Sequence, residues 1–174
     1  MSPTNALAAT TASENPVAAG DAAPAFSLRD QDGKLWSLTD LLAGQKALVL
    51  FFYPADETYG CTKEACSFRD SHDVFVEAGA RVVGISSDSV ASHARFAGKH
   101  SLNYTLLSDA GGVLAGRFGA PNAFGGLIKG RTTYVIDASG TVRGVFSSLL
   151  QFTRHIDEAL AAVRALQGRT TNRT

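Results

Sequence analysis

The distribution of apolar and polar residues along the chain predicts alternating strands and helices. Residues 47–53 form an uninterrupted apolar run that Pro54 closes, as is typical of a strand buried on both faces. Residues 81–86 predict a second buried strand. Between them, residues 62–78 carry apolar side chains at helical spacing, and Gly79 can end that helix.

Shorter elements complete this pattern. An Asp32-Gly33 pair between two short apolar runs predicts an N-terminal β-hairpin, and residues 137–140 predict the turn of a second one. Asp88 and Ser89 offer cap oxygens to a helix that follows them. The remaining predicted elements are strands at residues 25–28, 34–38, 104–107, 131–136 and 141–146, and helices at residues 90–100, 113–118 and 155–166.

The order of these elements predicts the fold class. A hairpin, a β-α-β-α-β-α series, a second hairpin and a final helix indicate a three-layer α/β domain with a mixed central sheet. A thioredoxin-like sheet fits this order. We predict that residues 1–20, which contain no Lys or Arg, form a flexible tail. Residues 21–174 then form a single domain.

Composition narrows the classes of function. Hydrophobic residues make up 45% of the 174 residues and charged residues 18%, which is typical of a globular protein. Lys plus Arg and Asp plus Glu are both 16, so bulk electrostatics gives no reason to expect nucleic-acid or membrane binding. No apolar run approaches the roughly 20 residues of a membrane span. The histidines show no metal-ligand spacing with the two cysteines, and we expect no metal.

The first cysteine lies where a helix is expected to begin. Cys61 follows the buried strand, Pro54 and a polar loop, so its sulfur should face free backbone N–H groups and the positive end of the helix dipole. Both favour a thiolate, which is the nucleophilic form of cysteine. Thr58 could contact the sulfur and a bound oxygen through its hydroxyl, and Pro54 could shield the sulfur from water.

The spacing of the two cysteines has a consequence for disulfide formation. Cys66 follows Cys61 by five residues, which on an ideal helix separates the Cα atoms by roughly 8–9 Å. A disulfide needs Cα atoms within about 7 Å. Either the pair is never oxidised, or the first turns of the helix unwind.

These residues resemble the active-site signature of the peroxiredoxins. The motif reads Pro54-x-x-x-Thr58-x-x-Cys61 and is followed by Glu64. Cys66 at this spacing resembles the Q subgroup, also called the bacterioferritin-comigratory-protein type. The likeness covers residues 21–166, and the stretches that carry it most clearly are residues 60–70, 105–109 and 130–137.

The resemblance implies a thiol peroxidase with a thioredoxin-like fold. It makes Cys61 the peroxidatic cysteine and Cys66 the resolving one, with Pro54, Thr58 and Arg131 completing the pocket. Arg131 would stabilise the thiolate and the charge developing on the peroxide. Glu64 could orient that arginine through a bidentate pair.

The resemblance also implies the reaction cycle and its partners. A sulfenic acid on Cys61 condenses with Cys66 to an intramolecular disulfide, and thioredoxin or a similar dithiol reduces it. The substrates are hydrogen peroxide and organic hydroperoxides, no cofactor is required, and the protein is expected to be a monomer. The chain shows no secretory signal, which favours an intracellular location. Bacterial-type cytoplasm and chloroplast both stay open, since residues 53–58 and 155–158 look like the plastid versions.

Other interpretations compete with these assignments. The cysteines could form a redox sensor whose disulfide reshapes a surface for a partner, but such a switch needs no peroxide pocket. A disulfide reductase is disfavoured because the chain has no Cys-x-x-Cys. Thr58 could be only a helix cap, and Glu64 only a solvated first-turn acid. Tyr59 stands where this subgroup commonly has proline, which leaves substrate preference and unwinding rate open.

Overall fold

The structure is a computed structural model that describes residues 16–120, 122–123 and 128–170. The strands are β1 (Ser27–Asp30), β2 (Leu35–Ser37), β3 (Ala47–Phe52), β4 (Ala80–Ser86), β5 (Thr105–Ser108), β6 (Asn122–Ala123), β7 (Ile128–Lys129), β8 (Thr132–Asp137) and β9 (Val142–Ser147). The helices are α1 (Leu38–Leu42), α2 (Tyr59–Asp70), α3 (His72–Glu77), α4 (Val90–Lys99), α5 (Val113–Phe118) and α6 (Phe152–Thr170).

One mixed sheet organises these elements. Its seven strands are ordered β2-β1-β5-β4-β3-β8-β9. The central strands β3, β4 and β5 run parallel, whereas β8 and the β1–β2 hairpin pair antiparallel to them and extend the sheet on its two sides. This arrangement confirms the predicted mixed sheet with an N-terminal hairpin. The carboxyl ends of β3 and β4 meet at one edge, and the loop that leads to Cys61 leaves from that edge.

Helices cover both faces of the sheet, as a three-layer fold requires. All six residues of β3 are buried, and alternate side chains enter opposite cores. Val49 and Phe51 join a core with side chains of α2, α3, α4 and α6. Leu48 and Leu50 join a core with side chains of α1 and α5.

The helical boundaries correct several predictions. The helix predicted at residues 62–78 is two helices, because Ser71 leaves helical geometry with ψ near 3° and separates α2 from α3. The first of them begins at Tyr59, three residues earlier than predicted. Helix α6 likewise begins earlier, at Phe152, and it continues through Gly168, which was expected to follow its end. Helix α1 was not predicted; Ser37 and Asp40 form its capping box.

The folded chain begins before residue 21. The N–H of Val17 donates to the carbonyl of Phe118 at 2.8 Å, and that of Gly20 donates to Val142 at 2.8 Å. The boundary predicted at residue 21 therefore lies a few residues too late. The prediction of a tail otherwise falls on residues 1–15, outside the described residues. Among the residues described, no helix is both long and apolar enough to cross a bilayer.

A buried carboxylate holds the start of α5. The oxygens of Asp109 accept from the N–H groups of Leu114 and Ala115, both at 2.9 Å. An Asp109→Asn variant presents an amide N–H₂ to one of these donors. We expect its free energy of unfolding to fall by about 1–3 kcal/mol, measured by urea denaturation. Asp157→Asn, an exposed substitution on α6, should stay within about 0.5 kcal/mol of the parent protein; equal losses in the two variants would contradict the capping role.

Candidate active site

Cys61 lies in the first turn of α2 and is almost completely buried, with 1% of its surface exposed. Its thiol therefore sits near the free N–H groups of the helix start, as the sequence predicted. Thr58 occupies the N-cap position, but its side chain makes no capping hydrogen bond. The Thr58 hydroxyl donates instead to the carbonyl of Ala55 at 3.0 Å. The alternative that Thr58 serves only as a side-chain cap is therefore wrong.

Arg131 brings a positive charge to the sulfur. It immediately precedes β8, which begins one residue later than predicted, and its side chain is buried. Its Nη2 donates to Sγ of Cys61 at 3.6 Å, and its Nε donates to the carbonyl of Leu149 at 3.3 Å. The guanidinium also lies over the ring of Phe152, 5.0 Å from its centroid. A cation held in this way strengthens attraction to a thiolate in a low-dielectric site.

The close approach of these groups depends on Gly60. A Cβ atom at this position would lie 2.8 Å from Cε1 of Phe152 and 3.0 Å from Nη2 of Arg131. Any side chain here would displace the ring or the guanidinium. The lack of space for a side chain therefore explains the glycine before Cys61. Its backbone conformation does not, since it is not in the left-handed region.

Glu64 faces the same arginine from one turn further along α2. Its carboxyl is fully buried, so the alternative of a solvated acid is wrong. Its Oε1 lies 3.4 Å from Nη1 of Arg131. Within the described part of the chain, neither Oε atom accepts a hydrogen bond. The predicted bidentate pair is therefore replaced by a single loose contact.

The surroundings of Glu64 favour its neutral form. Burial raises the pKa of this carboxyl to about 8, although the nearby charge of Arg131 opposes the shift. Among the described residues no hydrogen-bond donor compensates the lost hydration of either oxygen, and this favours the uncharged acid. With Glu64 neutral, the positive charge of Arg131 stays available to Cys61.

His155 completes the buried layer behind the arginine. Its Nδ1 accepts from the hydroxyl of Thr133 at 2.8 Å, and its Nε2 donates to the carbonyl of Ser148 at 2.8 Å. Nε2 also lies 3.7 Å from Oε2 of Glu64. Burial lowers the pKa of His155 to about 4, so its ring is neutral at physiological pH. It therefore positions the turn that offers the Leu149 carbonyl to Arg131 without adding charge.

Cys66 lies on the same helix in a more open position. Both thiols are unpaired, and Cys66 is partly exposed. A cavity of about 440 Å³ opens beside it between α2 and α4, with Tyr59, Lys63 and Lys99 in its lining. Because α2 is continuous from Tyr59 to Asp70, the Cα atoms of the two cysteines are roughly 8–9 Å apart. The pair is reduced in this conformation and cannot bond without a change in α2.

The structure brings only some of the predicted site residues together. It brings Cys61, Glu64 and Arg131 together, sets Thr58 at the start of α2, and leaves Cys66 at a distance. Pro54 lies two residues after the end of β3, half-buried, at the beginning of the loop. Sequence reasoning missed Phe152 and His155, since nothing in their spacing links α6 to Cys61.

Comparison with known proteins gives a family match. Residues 19–145 match the model of the AhpC/TSA family. Peroxiredoxin Q, chloroplastic, from Gentiana triflora is 50% identical over 144 residues, which are 83% of this chain and 65% of that protein. Its counterpart in Arabidopsis thaliana is 50% identical over 146 residues, covering 84% and 67% of the two chains. The chain thus spans about two thirds of the length of these plant relatives.

Solved structures show the same likeness. Peroxidoxin BcpB from Mycobacterium tuberculosis superimposes with a TM-score of 0.79 at 45% identity, covering 86% of this chain and 97% of that one. Peroxiredoxin Q from Xanthomonas campestris gives a TM-score of 0.72 at 33% identity, covering 80% and 90%. These neighbours confirm the thioredoxin-like peroxiredoxin fold that the sequence predicted.

The raised pKa of Glu64 makes a testable contribution to stability. Its folded-state pKa of about 8 exceeds the ordinary value of 4.5, so the folded protein keeps a proton that the unfolded chain releases between these values. The stability from Glu64 is therefore full below about pH 4.5 and is lost as the pH rises toward 8. Glu64→Gln stays neutral throughout. Between pH 5 and pH 8 we expect the reduced parent protein to lose about 2–4 kcal/mol more unfolding free energy than this variant.

Urea denaturation of the two reduced proteins at both pH values measures this difference. Parallel pH profiles would show that the Glu64 carboxyl is ionised in the folded protein.

Proposed function

Because the chain belongs to the AhpC/TSA family, and within it to the peroxiredoxin Q group of peroxidases, we propose that it reduces hydrogen peroxide and organic hydroperoxides through Cys61. The observation that carries this proposal is the buried Cys61 sulfur, 3.6 Å from the buried guanidinium of Arg131. A structural cysteine in an apolar core has no need of such a cation. A site that must stabilise both a nucleophilic thiolate and a departing oxygen anion does need one.

The first step is a two-electron oxidation of sulfur. The Cys61 thiolate attacks the terminal oxygen of the hydroperoxide, and a sulfur–oxygen bond forms as the oxygen–oxygen bond breaks. The departing oxygen takes that electron pair and a proton, and leaves as water or an alcohol. Cys61 is left as a sulfenic acid.

The charge of Arg131 stabilises both reacting groups in this step. Next to the thiolate it stabilises the nucleophile, and its remaining N–H groups can stabilise the charge that develops on the peroxide oxygens. In our proposal the neutral Glu64 carboxyl keeps the guanidinium in place without neutralising it. An ionised Glu64 would compete with Cys61 for the same positive charge.

Thr58 and Pro54 are proposed to form the entrance to this site. The Thr58 hydroxyl is exposed at the start of α2 and donates to Ala55. Its oxygen lone pairs can therefore accept from the hydroperoxide O–H. Pro54 gives the loop a fixed φ angle where it leaves β3.

The second step is proposed to join the two cysteines. The Cys66 thiol condenses with the sulfenic acid, forms the disulfide and releases water. Unwinding of α2 is required because an intact helix holds the Cα atoms too far apart. An external dithiol, thioredoxin or a similar protein, then returns both cysteines to thiols by exchange.

The relatives suggest where such a protein works and on what. The plant relatives are chloroplastic by name, and the structural neighbours include bacterial proteins. We propose one of these two settings, the chloroplast or bacterial-type cytoplasm, and a monomer as the active form. The Xanthomonas campestris bacterioferritin comigratory protein is described by its alkyl peroxide reduction activity, which supports organic hydroperoxides as substrates here.

Intact mass with thiol alkylation tests the proposal directly. Seconds after one equivalent of hydrogen peroxide, the reduced protein should lose two hydrogens, and neither thiol should react with the alkylating reagent. Cys66→Ser should stop at the sulfenic acid, and Cys61→Ser should not react on this timescale. Free, alkylatable thiols in the peroxide-treated parent protein would contradict the peroxidase function.

Turnover separates the peroxidase from the alternative redox sensor. With thioredoxin, thioredoxin reductase and NADPH, a peroxidase consumes many equivalents of hydroperoxide per protein. A single equivalent consumed, with no further turnover, would favour the sensor.

A conservative substitution tests the role of Arg131. Arg131→Lys keeps the charge but loses the planar group that reaches both Cys61 and the Leu149 carbonyl. We expect the second-order rate constant of Cys61 with hydrogen peroxide to fall about 10²–10³-fold, measured by stopped-flow kinetics. The matched control is Arg143→Lys, because Arg143 pairs with Asp137 in the β8–β9 hairpin. This variant should change the rate less than about twofold. Equal rates in the two variants would remove Arg131 from the mechanism.

A further inference from the structure

We propose that Asp56 and His93 form a fixed anchor that confines the unwinding of α2 to the residues after Asp56. The inference rests on the proposed function, because it concerns the conformational change that joins Cys61 to Cys66. It assigns Asp56 and His93 as positioning residues for disulfide formation. Neither residue contacts Cys61 in the reduced conformation.

Asp56 is the most firmly held residue of the loop between β3 and α2. Its Oδ1 accepts from the Tyr53 hydroxyl at 2.7 Å, and its Oδ2 accepts from the Ser92 hydroxyl at 2.8 Å. Oδ2 also lies 2.8 Å from Nδ1 of His93. The backbone N–H of Asp56 donates to Oδ2 of Asp88 at 2.9 Å. These bonds connect the loop to the end of β3, the β4–α4 loop and the first turn of α4.

The Asp56–His93 pair at the centre of this cluster is buried. Nε2 of His93 faces the carbonyl of Leu107 at 3.0 Å, and Nδ1 faces the Asp56 carboxylate. Both neighbours are acceptors, so each ring nitrogen of His93 faces an oxygen to which it can donate. The His93 side chain is fully buried, and 2% of the Asp56 side chain is exposed. Separating such a pair leaves an unpaired buried charge, and it should therefore stay together while α2 unwinds.

The hydrogen bonds within the cluster also explain why its carboxylates and imidazole lie close together. Asp56, Asp88 and His93 offer ligand atoms within 4.8 Å of one another, which is close enough to suggest a metal. Their facing atoms are engaged with each other, with Tyr53 and with Ser92. The cluster is explained as an anchor without a further ligand.

The residue after the anchor has the properties of a hinge. Glu57 adopts a positive φ of 64°, which is uncommon for a residue with a side chain and stores strain. Its carboxylate is exposed, and among the described residues its ion-pair partners are Lys99 at 3.1 Å and His100 at 3.6 Å. Exposed ion pairs of this kind contribute little to stability. The chain therefore passes from a rigid residue to a weakly held one within a single peptide unit.

The far end of the segment is also held. The Tyr104 hydroxyl donates to the carbonyl of Ala65 at 2.7 Å in a buried position. Phe68 stacks on Phe51 with ring centroids 4.3 Å apart and is fully buried. The residues free to unwind are thus 57–64, between Asp56 and Ala65. Fixing both ends of so short a segment limits the conformations that Cys61 must search to meet Cys66.

Residue-resolved amide hydrogen exchange tests this boundary. The Asp56 amide reports the anchor, and the Thr62 amide, which donates to the Thr58 carbonyl at 2.9 Å, reports the first turn of α2. In going from the reduced to the disulfide form of the full chain, we expect Thr62 to lose protection about 100-fold or more. The protection of Asp56 should change less than about threefold.

Each of the other possible outcomes would contradict the inference. A parallel loss at Asp56 would mean that the anchor opens with the helix, and it would overturn this inference while leaving the peroxidase function intact. Unchanged protection at both amides, with the disulfide present, would also overturn it. Absence of the disulfide in intact mass would remove the proposed function and this inference together.

Two substitutions at one position separate anchoring from simple packing. The side-chain nitrogen of asparagine can take the place of Nδ1, whereas that of glutamine reaches the place of Nε2. His93→Asn therefore keeps a donor to Asp56, and His93→Gln loses it. In the disulfide form we expect Asp56 amide exchange to rise about tenfold or more in His93→Gln and less than about threefold in His93→Asn.

Asp109→Asn is the stability control, because it removes a buried hydrogen bond at α5, away from the loop. Its Asp56 exchange should match that of the parent protein. Equal effects in the two His93 variants would reduce His93 to a packing role and contradict the anchor.

Discussion

The contact between Arg131 and Cys61 is the interaction around which the active end of the molecule is arranged. A guanidinium taken out of water needs several compensating partners, and the fold supplies them from three elements. The Leu149 carbonyl accepts from its Nε, the ring of Phe152 covers its face, and Gly60 leaves the space for both. The sulfur of Cys61 then meets a cation whose position is set before any substrate arrives.

Glu64 shows why the protonation state of one residue matters to that arrangement. A carboxylate beside Arg131 would normally form the stronger pair and withdraw the charge from sulfur. Burial without hydrogen-bond donors raises the pKa of Glu64 to about 8 and favours the neutral acid. His155, held neutral by its own burial, supports the layer behind it without adding a competing cation. The positive charge in this pocket is thus left on Arg131, beside the sulfur of Cys61.

The sequence determined these features to very different degrees. The continuous apolar run of β3 and the alternation of elements were sufficient for the sheet, since strands buried on both faces leave a strong pattern. The Cys61 motif identified the helix start, and the resemblance added Arg131. The sequence left open whether Glu64 faces Arg131 or solvent, because its burial depends on α6 and β8, which are distant in sequence. The Asp56–His93 pair joins the loop after β3 to the helix after β4, so it could have been suspected once β3 and β4 were placed side by side.

The molecule must combine two opposing properties of α2. A rigid helix start is needed to hold Cys61 against Arg131, yet an intact α2 keeps Cys66 out of reach. The thiolate is the part on which every later step depends. The most direct measurement is therefore the ultraviolet absorbance of the thiolate at neutral pH in the Cys66→Ser protein, where Cys61 is the sole thiol. We expect more thiolate in the folded protein than in the unfolded chain, and we expect this excess to disappear when Arg131 is also replaced by Gln. A folded protein with no more thiolate than the unfolded chain would contradict the central role of Arg131.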